Sequence, residues 1–209
     1  MNVPAAETVV LLHGLWLRGG AMAYLQRRLH GDGFRALAFD YSSVHEDVDT
    51  AGARLRDCVR AIEGRVHLLG HSLGGMLAAT TVQRWPELIA GRVVCIGAPL
   101  CGSVASRSLR RWPGGEHLLG RSRELLEHGL PRWDAAPALG VIAGRLPLGL
   151  GVLLGGLQLP HDGTVAVAET RLPGLADHRV VAASHAGLLF SDEAARQAGA
   201  FLRDGRFVA

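Results

Sequence analysis

The sequence predicts an α/β fold, a mostly parallel sheet with helices on both faces, and three observations support it. Short β-branched or aliphatic runs alternate with helix-compatible stretches of about ten to fifteen residues, the pattern of parallel strands joined by right-handed crossovers. A chain of 209 residues buries roughly 70% of its unfolded surface, enough to cover a sheet on both sides. The 28 glycines are about twice the usual share and mark tight turns in an otherwise core-rich chain.

Each element follows in order. Residues 8–12 form the first strand, ended by His13-Gly14, and residues 22–30 have helical spacing. Residues 36–39 make a second strand ending at Asp40, and 48–63 a second helix. The third strand covers 66–69, and the helix over 72–83 closes near Trp85 and Pro86. A fourth strand, 92–96, runs into Gly97-Ala98-Pro99. From 100 to 133 the pattern weakens into an arginine-rich stretch with helices expected over 104–111 and 122–128, a small cap or an irregular crossover. Residues 139–143 make another strand, followed by a glycine- and leucine-rich loop to 159 and a short apolar segment at 165–167. The last strand covers 179–181 and the last helix 192–202. No repeat or low-complexity linker interrupts the series, so a single domain of residues 1–209 is expected.

Composition excludes several classes. Hydrophobic residues at 48%, charged residues at 20% and a net charge of +3 argue against disorder and against a nucleic-acid-binding surface. Cys58, Cys95 and Cys101 form no CxxC pair, so neither a disulfide framework nor a zinc knuckle is expected. The opening residues lack a basic start, an apolar segment and a small-residue cleavage site in succession, which predicts a cytoplasmic location. Between 135 and 160 only Arg145 is charged, yet Pro137, Pro147 and several glycines make a poor membrane span.

The chemistry starts at Gly70-His71-Ser72-Leu73-Gly74, between an apolar strand and a run of small residues. A nucleophilic serine needs a strained strand-to-helix turn, with glycines where side chains would strike neighbouring elements. The helix start aims N–H groups at developing negative charge, so the Leu73 main chain is a candidate oxyanion donor. A serine that only caps a helix would leave the flanking glycines unexplained.

On these residues the chain resembles the alpha/beta-hydrolase superfamily, especially compact bacterial lipases and esterases, over about residues 8 to 203. The resemblance implies a three-layer fold of reduced size. It also implies a second oxyanion donor from the His13-Gly14-Leu15 loop, at Leu15 or Trp16 with Leu15 favoured, while His13 shapes the loop. The Gly97-Ala98-Pro99-Leu100-Cys101-Gly102-Ser103 stretch resembles a turn that shapes the pocket wall in lipase relatives, with Cys101 a bystander near the site. His71 is expected to point away from the nucleophile.

A serine at neutral pH needs a base, and the base needs an orienting carboxylate. His185 sits where a late strand opens into a loop, after the serine in the order Ser, acid, His that the family follows. His178, its nearest rival, precedes that strand and should fall at the opposite end. Asp162 in His161-Asp162-Gly163-Thr164-Val165 follows the 139–143 strand, and the resemblance strengthens it because many lipases carry Asp-Gly-x-Val around the acid. An Asp-Gly pair is also an ordinary turn. Asp177 and Glu169 are weaker candidates because their surroundings read as a solvated return loop, and Asp40 precedes the serine.

The sequence therefore predicts a serine hydrolase acting through an acyl-enzyme on carboxylic esters, small-molecule acyl esters of fatty-acyl or lipid type, with no metal or cofactor. A thioesterase or acyltransferase would use the same triad, and a non-catalytic lipid- or protein-binding module is the alternative of a different class. Substrate contacts are expected from Trp16, Leu17, Leu148, Leu153 and Leu154, with Leu146, Leu150 and Leu157 nearby. Such greasy surface suits peripheral membrane contact, and equally an inward-packing helix. Arginines 107, 110, 111, 121 and 123 are read as a solvated face.

Overall fold

The computed structural model describes residues 7–149 and 156–209. Six strands, β1 (Thr8–Leu12), β2 (Arg35–Phe39), β3 (Val66–His71), β4 (Val93–Ile96), β5 (Leu139–Gly144) and β6 (Asp177–Val181), lie in the order β2-β1-β3-β4-β5-β6. Every neighbouring pair is parallel. The described helices are α1 (Ala23–Gly31), α2 (Val48–Arg60), α3 (Leu73–Arg84), α4 (Val104–Arg110), α5 (Gly115–Leu119), α6 (Arg123–His128) and α7 (Asp192–Asp204).

Three layers follow from side-chain alternation along strands that are buried on both faces. Val10 and Leu12 join Leu55, Met76 and Leu77 beneath α2 and α3. Val9 and Leu11 point the other way, to Leu25, Leu29 and Phe201 of α1 and α7. The chain leaves β1 toward β2, then returns past β1 to β3, so helices α1 and α3 depart to opposite faces. A crevice opens between the loops that follow β1 and β3, where parallel sheets bind their ligands.

The close approach of α3 to the sheet explains its glycines. A β-carbon on Gly70 would fall on the main chain of Gly74 and Gly75, and one on Gly74 would fall on the Leu12 and His13 carbonyls. At Gly75 it would sit 2.8 Å from the Ala98 β-carbon. Side chains there would push α3, and Ser72 with it, off the sheet.

Several elements differ from their sequence-based reading. Helix α5 was not expected, because its Gly114-Gly115 start has weak helical propensity, and at Gly115 a side chain would strike the Leu109 carbonyl. Residues 165–167, the short apolar segment, are buried in a tight loop. One bridge pairs His161 with Ala166, and a single 3-10 turn, Val167–Thr170, follows. Strand β6 begins at Asp177, so His178 lies inside it, still at the end remote from the strand tips; an edge strand tolerates such half-buried polar residues. Between β4 and β5, helices α4 to α6 send Leu109, Leu119 and Leu126 toward the α2/α3 side of the core.

Among the described residues no helix is long and apolar enough to cross a membrane, and no cluster of His, Cys, Asp and Glu could hold a metal ion. The three cysteines are free.

Candidate active site

Ser72 follows the last residue of β3 and caps α3 with φ 54° and ψ −122°. Trp16, at φ 61°, is the other described non-glycine residue with positive φ, and both line one cavity. An L side chain holds such a conformation only when its surroundings enforce it, and such strain collects at functional sites. For Ser72 the enforcement comes from its N–H, which donates to the Ile96 carbonyl at 2.8 Å, and from the helix that starts at Leu73.

The structure brings Ser72, His185 and Asp162 together from the ends of β3, β6 and β5. His185 Nε2 lies 3.0 Å from Ser72 Oγ, and its Nδ1 lies 2.8 Å from Asp162 Oδ2. An ionised carboxylate only accepts, so Nδ1–H donates to Asp162 and Nε2 keeps its lone pair for the serine hydroxyl. The remaining oxygen of Asp162 accepts the Thr164 and Val165 N–H groups at 2.9 and 2.7 Å. The His185 N–H adds a backbone bond of 2.8 Å to the Asp162 carbonyl, tying the two loops together. A buried carboxylate, 1% exposed, is thus compensated by three donors.

The loop after β1 makes a turn in which the Leu17 N–H reaches the Gly14 carbonyl, with Leu15 and Trp16 at its centre. Positive φ at the third position of such a turn normally calls for glycine. Here Ser43 Oγ holds the Trp16 N–H at 3.0 Å, and the indole Nε1 donates to the Leu118 carbonyl at 2.8 Å. The Leu15 and Leu73 N–H groups have no hydrogen-bond acceptor among the described residues. Sequence reasoning missed Ser43, which no motif marks.

His71 corrects the expectation that it turns away. Strand β3 continues two residues past Leu69, and the alternation directs the His71 ring onto His185, with ring centroids 4.8 Å apart. Its Nε2–H donates to the His185 carbonyl at 3.0 Å. Burial, with His185 nearby, lowers its pKa to about 3, so the ring is neutral at ordinary pH. His13 is buried against Tyr41 at 4.5 Å, with Nδ1 by the Gly14 carbonyl and Nε2 by Asp40, away from the serine. Glu169 is a second correction. It is buried rather than solvated, and it accepts the Val104 and Ala166 N–H groups at 2.5 and 2.7 Å, with burial raising its pKa. Asp177 lies at the start of β6, where it accepts the Phe207 N–H. Cys101 is exposed and does not line the cavity.

A stability prediction follows from His71. Unfolded, this histidine takes up a proton near pH 6.5, whereas the folded protein refuses it down to about pH 3. Stability is therefore full above pH 6.5 and falls as pH drops through that window, by up to about 1.4 kcal/mol per unit from this group. Urea midpoints at pH 7.5, 6 and 5 should fall less steeply in His71→Asn than in the native chain; parallel slopes would exclude His71 as the cause.

The cavity holds about 490 Å³ and opens beside Ser72 and His185. Leu15, Leu17, Leu109, Leu119, Leu126 and Leu148 make much of its wall. Trp16, Leu148 and Phe190 line it while remaining 52%, 69% and 64% exposed. Leu150, Leu153 and Leu154 lie outside the described residues. The arginines of the 100–133 stretch mostly face nearby partners, Arg110 on Glu127, Arg121 on Asp47 and Arg123 on Glu116.

A model of the alpha/beta hydrolase family matches residues 9–206. No curated protein matches the chain. Among solved structures, a Bacillus licheniformis lipase in its mature form has a TM-score of 0.79 at 20% identity, over 96% of this chain and 92% of that one. A pyrethroid hydrolase from Sphingobium faniae gives 0.62 at 18%, over 96% and 98%. A Paleococcus ferrophilus monoacylglycerol lipase gives 0.55 at 17%, over 83% of each chain. These likenesses concern the fold.

Proposed function

Because this chain belongs to the alpha/beta hydrolase family, we propose that it is a serine hydrolase cleaving carboxylic esters of fatty-acyl or lipid type through an acyl-enzyme. The observation that carries this reading is the unbroken hydrogen-bonded chain from Ser72 through His185 to Asp162. As Ser72 Oγ attacks the ester carbonyl, its proton passes to His185 Nε2, and Asp162 holds the imidazolium. The carbonyl oxygen, now an oxyanion, takes the free N–H groups of Leu15 and Leu73, helped by the positive end of α3. Collapse of this intermediate breaks the bond to the alcohol, which leaves with the proton from His185. Water then gives a proton to His185 and attacks the acyl carbon, and release of the carboxylic acid restores Ser72.

Substrate class is argued from the walls. A leucine-lined cavity of about 490 Å³ suits an acyl chain. Each methylene moved from water into it is worth about 0.8 kcal/mol, roughly fourfold in kcat/KM until the space is full. The exposed Trp16, Leu148 and Phe190 at the mouth fit a substrate presented from a lipid surface.

The test combines a fluorophosphonate probe with p-nitrophenyl esters of increasing acyl length, beside acyl thioesters of the same lengths. Labelling at Ser72 and a rise in kcat/KM from acetyl to longer acyl esters are expected. Absence of labelling in the folded protein overturns the reading. A preference for acetyl rejects the lipid assignment, and a preference for thioesters makes the chain a thioesterase.

A further inference from the structure

His185 stands in the loop after β6, the edge strand, and a base on a loop is only as precise as the bonds that hold it. Both peptide groups that flank its α-carbon are tied. Its N–H donates to the Asp162 carbonyl at 2.8 Å, and its carbonyl accepts from His71 Nε2–H at 3.0 Å. His71 directly precedes the nucleophile, so the end of β3 holds the base twice, at the ring through Ser72 Oγ and at the main chain through His71. The His71 ring is itself held from two sides. It is buried against the His185 ring, and a β-carbon on Gly14 would meet its Nδ1 at 3.1 Å. Being neutral at ordinary pH, it sets no second positive charge beside His185 when that ring takes up the serine proton.

We propose that His71 is a positioning residue for ester hydrolysis, acting through its hydrogen bond to the His185 carbonyl, which fixes the main chain of the base and so the reach of Nε2 to Ser72. This rests on the esterase reading of the same site. Without the bond, the His185–Ala186 peptide loses its anchor, while the Asp162 carbonyl still fixes the peptide on the other side. The imidazole then spends part of its time out of line with the serine hydroxyl, and proton transfer slows. A small misplacement of a reacting group is enough for a large loss in rate. The base serves acylation and deacylation alike, so both steps slow together and the loss falls on kcat rather than on KM.

The experiment compares His71→Gln with His71→Asn on p-nitrophenyl esters. Glutamine places an amide N–H about where histidine has Nε2–H, whereas asparagine is one methylene shorter and does not reach the carbonyl. Both are neutral and both remove the ring. The expected kcat lies within about threefold of native in His71→Gln and is lower by about tenfold in His71→Asn, with KM within about twofold in both. His71→Leu, which fills the space without a donor, should behave as His71→Asn and repeats the comparison. A readout that needs no turnover is the far-downfield proton NMR signal of His185 Nδ1–H in its bond to Asp162. It should stay sharp in His71→Gln and broaden in His71→Asn. Values of kcat within about twofold of each other in the two variants, or signals equally sharp or equally broad, overturn the proposal, because a residue that only fills space does not distinguish them. Hydrolysis by the native chain then leaves the esterase reading standing. If the native chain hydrolyses no ester and a fluorophosphonate leaves Ser72 unlabelled, the esterase reading fails, and the NMR comparison still decides whether His71 positions His185.

Discussion

Ser72→Ala is expected to lower ester turnover by roughly 10⁴-fold or more, because the bond-forming atom disappears while the cavity and oxyanion donors remain. On the proposed mechanism, the residual rate is what positioning and the Leu15 and Leu73 N–H groups would supply. Alanine keeps the β-carbon and therefore the same positive φ, so the melting temperature should stay close to that of the native chain. A folded Ser72→Ala protein that retains more than a tenth of the native kcat would exclude Ser72 as the nucleophile. Retention of that size would also turn attention away from the whole hydrogen-bonded chain that ends at this hydroxyl.

Asp162→Asn should cost about 10⁴-fold in kcat, although the side chain changes by a single atom. Thr164 and Val165 both donate to one carboxylate oxygen, so an asparagine must keep its carbonyl oxygen there. That leaves its NH₂ facing His185 Nδ1, which must then become an acceptor. The imidazole proton moves to Nε2 and points at Ser72, so the ring can no longer take the serine proton. The backbone bond from His185 to Asp162 is untouched, and urea unfolding should show a folded protein. Loss of less than tenfold would mean that Asp162 does not set the tautomer. Substrate affinity should change little, because Asp162 does not line the cavity.

The layered fold is readable from local chemistry, since the strands are short apolar runs and the helices between them have periodic or small residues. Ser72 and His185 stand out as candidates because each lies where an apolar run breaks into a loop, with the glycines at 70 and 74 marking the elbow, whereas Asp162 stands out through its Asp-Gly pair after the long loop that follows the 139–143 strand and through the family resemblance. The structure places these three within hydrogen-bonding reach of one another. What escapes the sequence depends on contacts distant along the chain. The direction of His71 is set by two further residues of strand pairing beside β4, and Glu169 is buried only because α4 comes to lie against it. Helix α5 opens on two glycines, and its place is set by contacts with the Leu109 carbonyl and with Trp16. Ser43 acts on Trp16 across 27 residues.

The sheet order also bears on biosynthesis. The loops after β1 and β3 carry the Leu15 and Leu73 N–H groups and Ser72, but Asp162 follows β5 and His185 follows β6, at the far edge of the sheet. A ribosome product cut short before β6 would carry Ser72 without His185, the base of the proposed triad. Under the proposed mechanism, such a fragment would be hydrolytically silent.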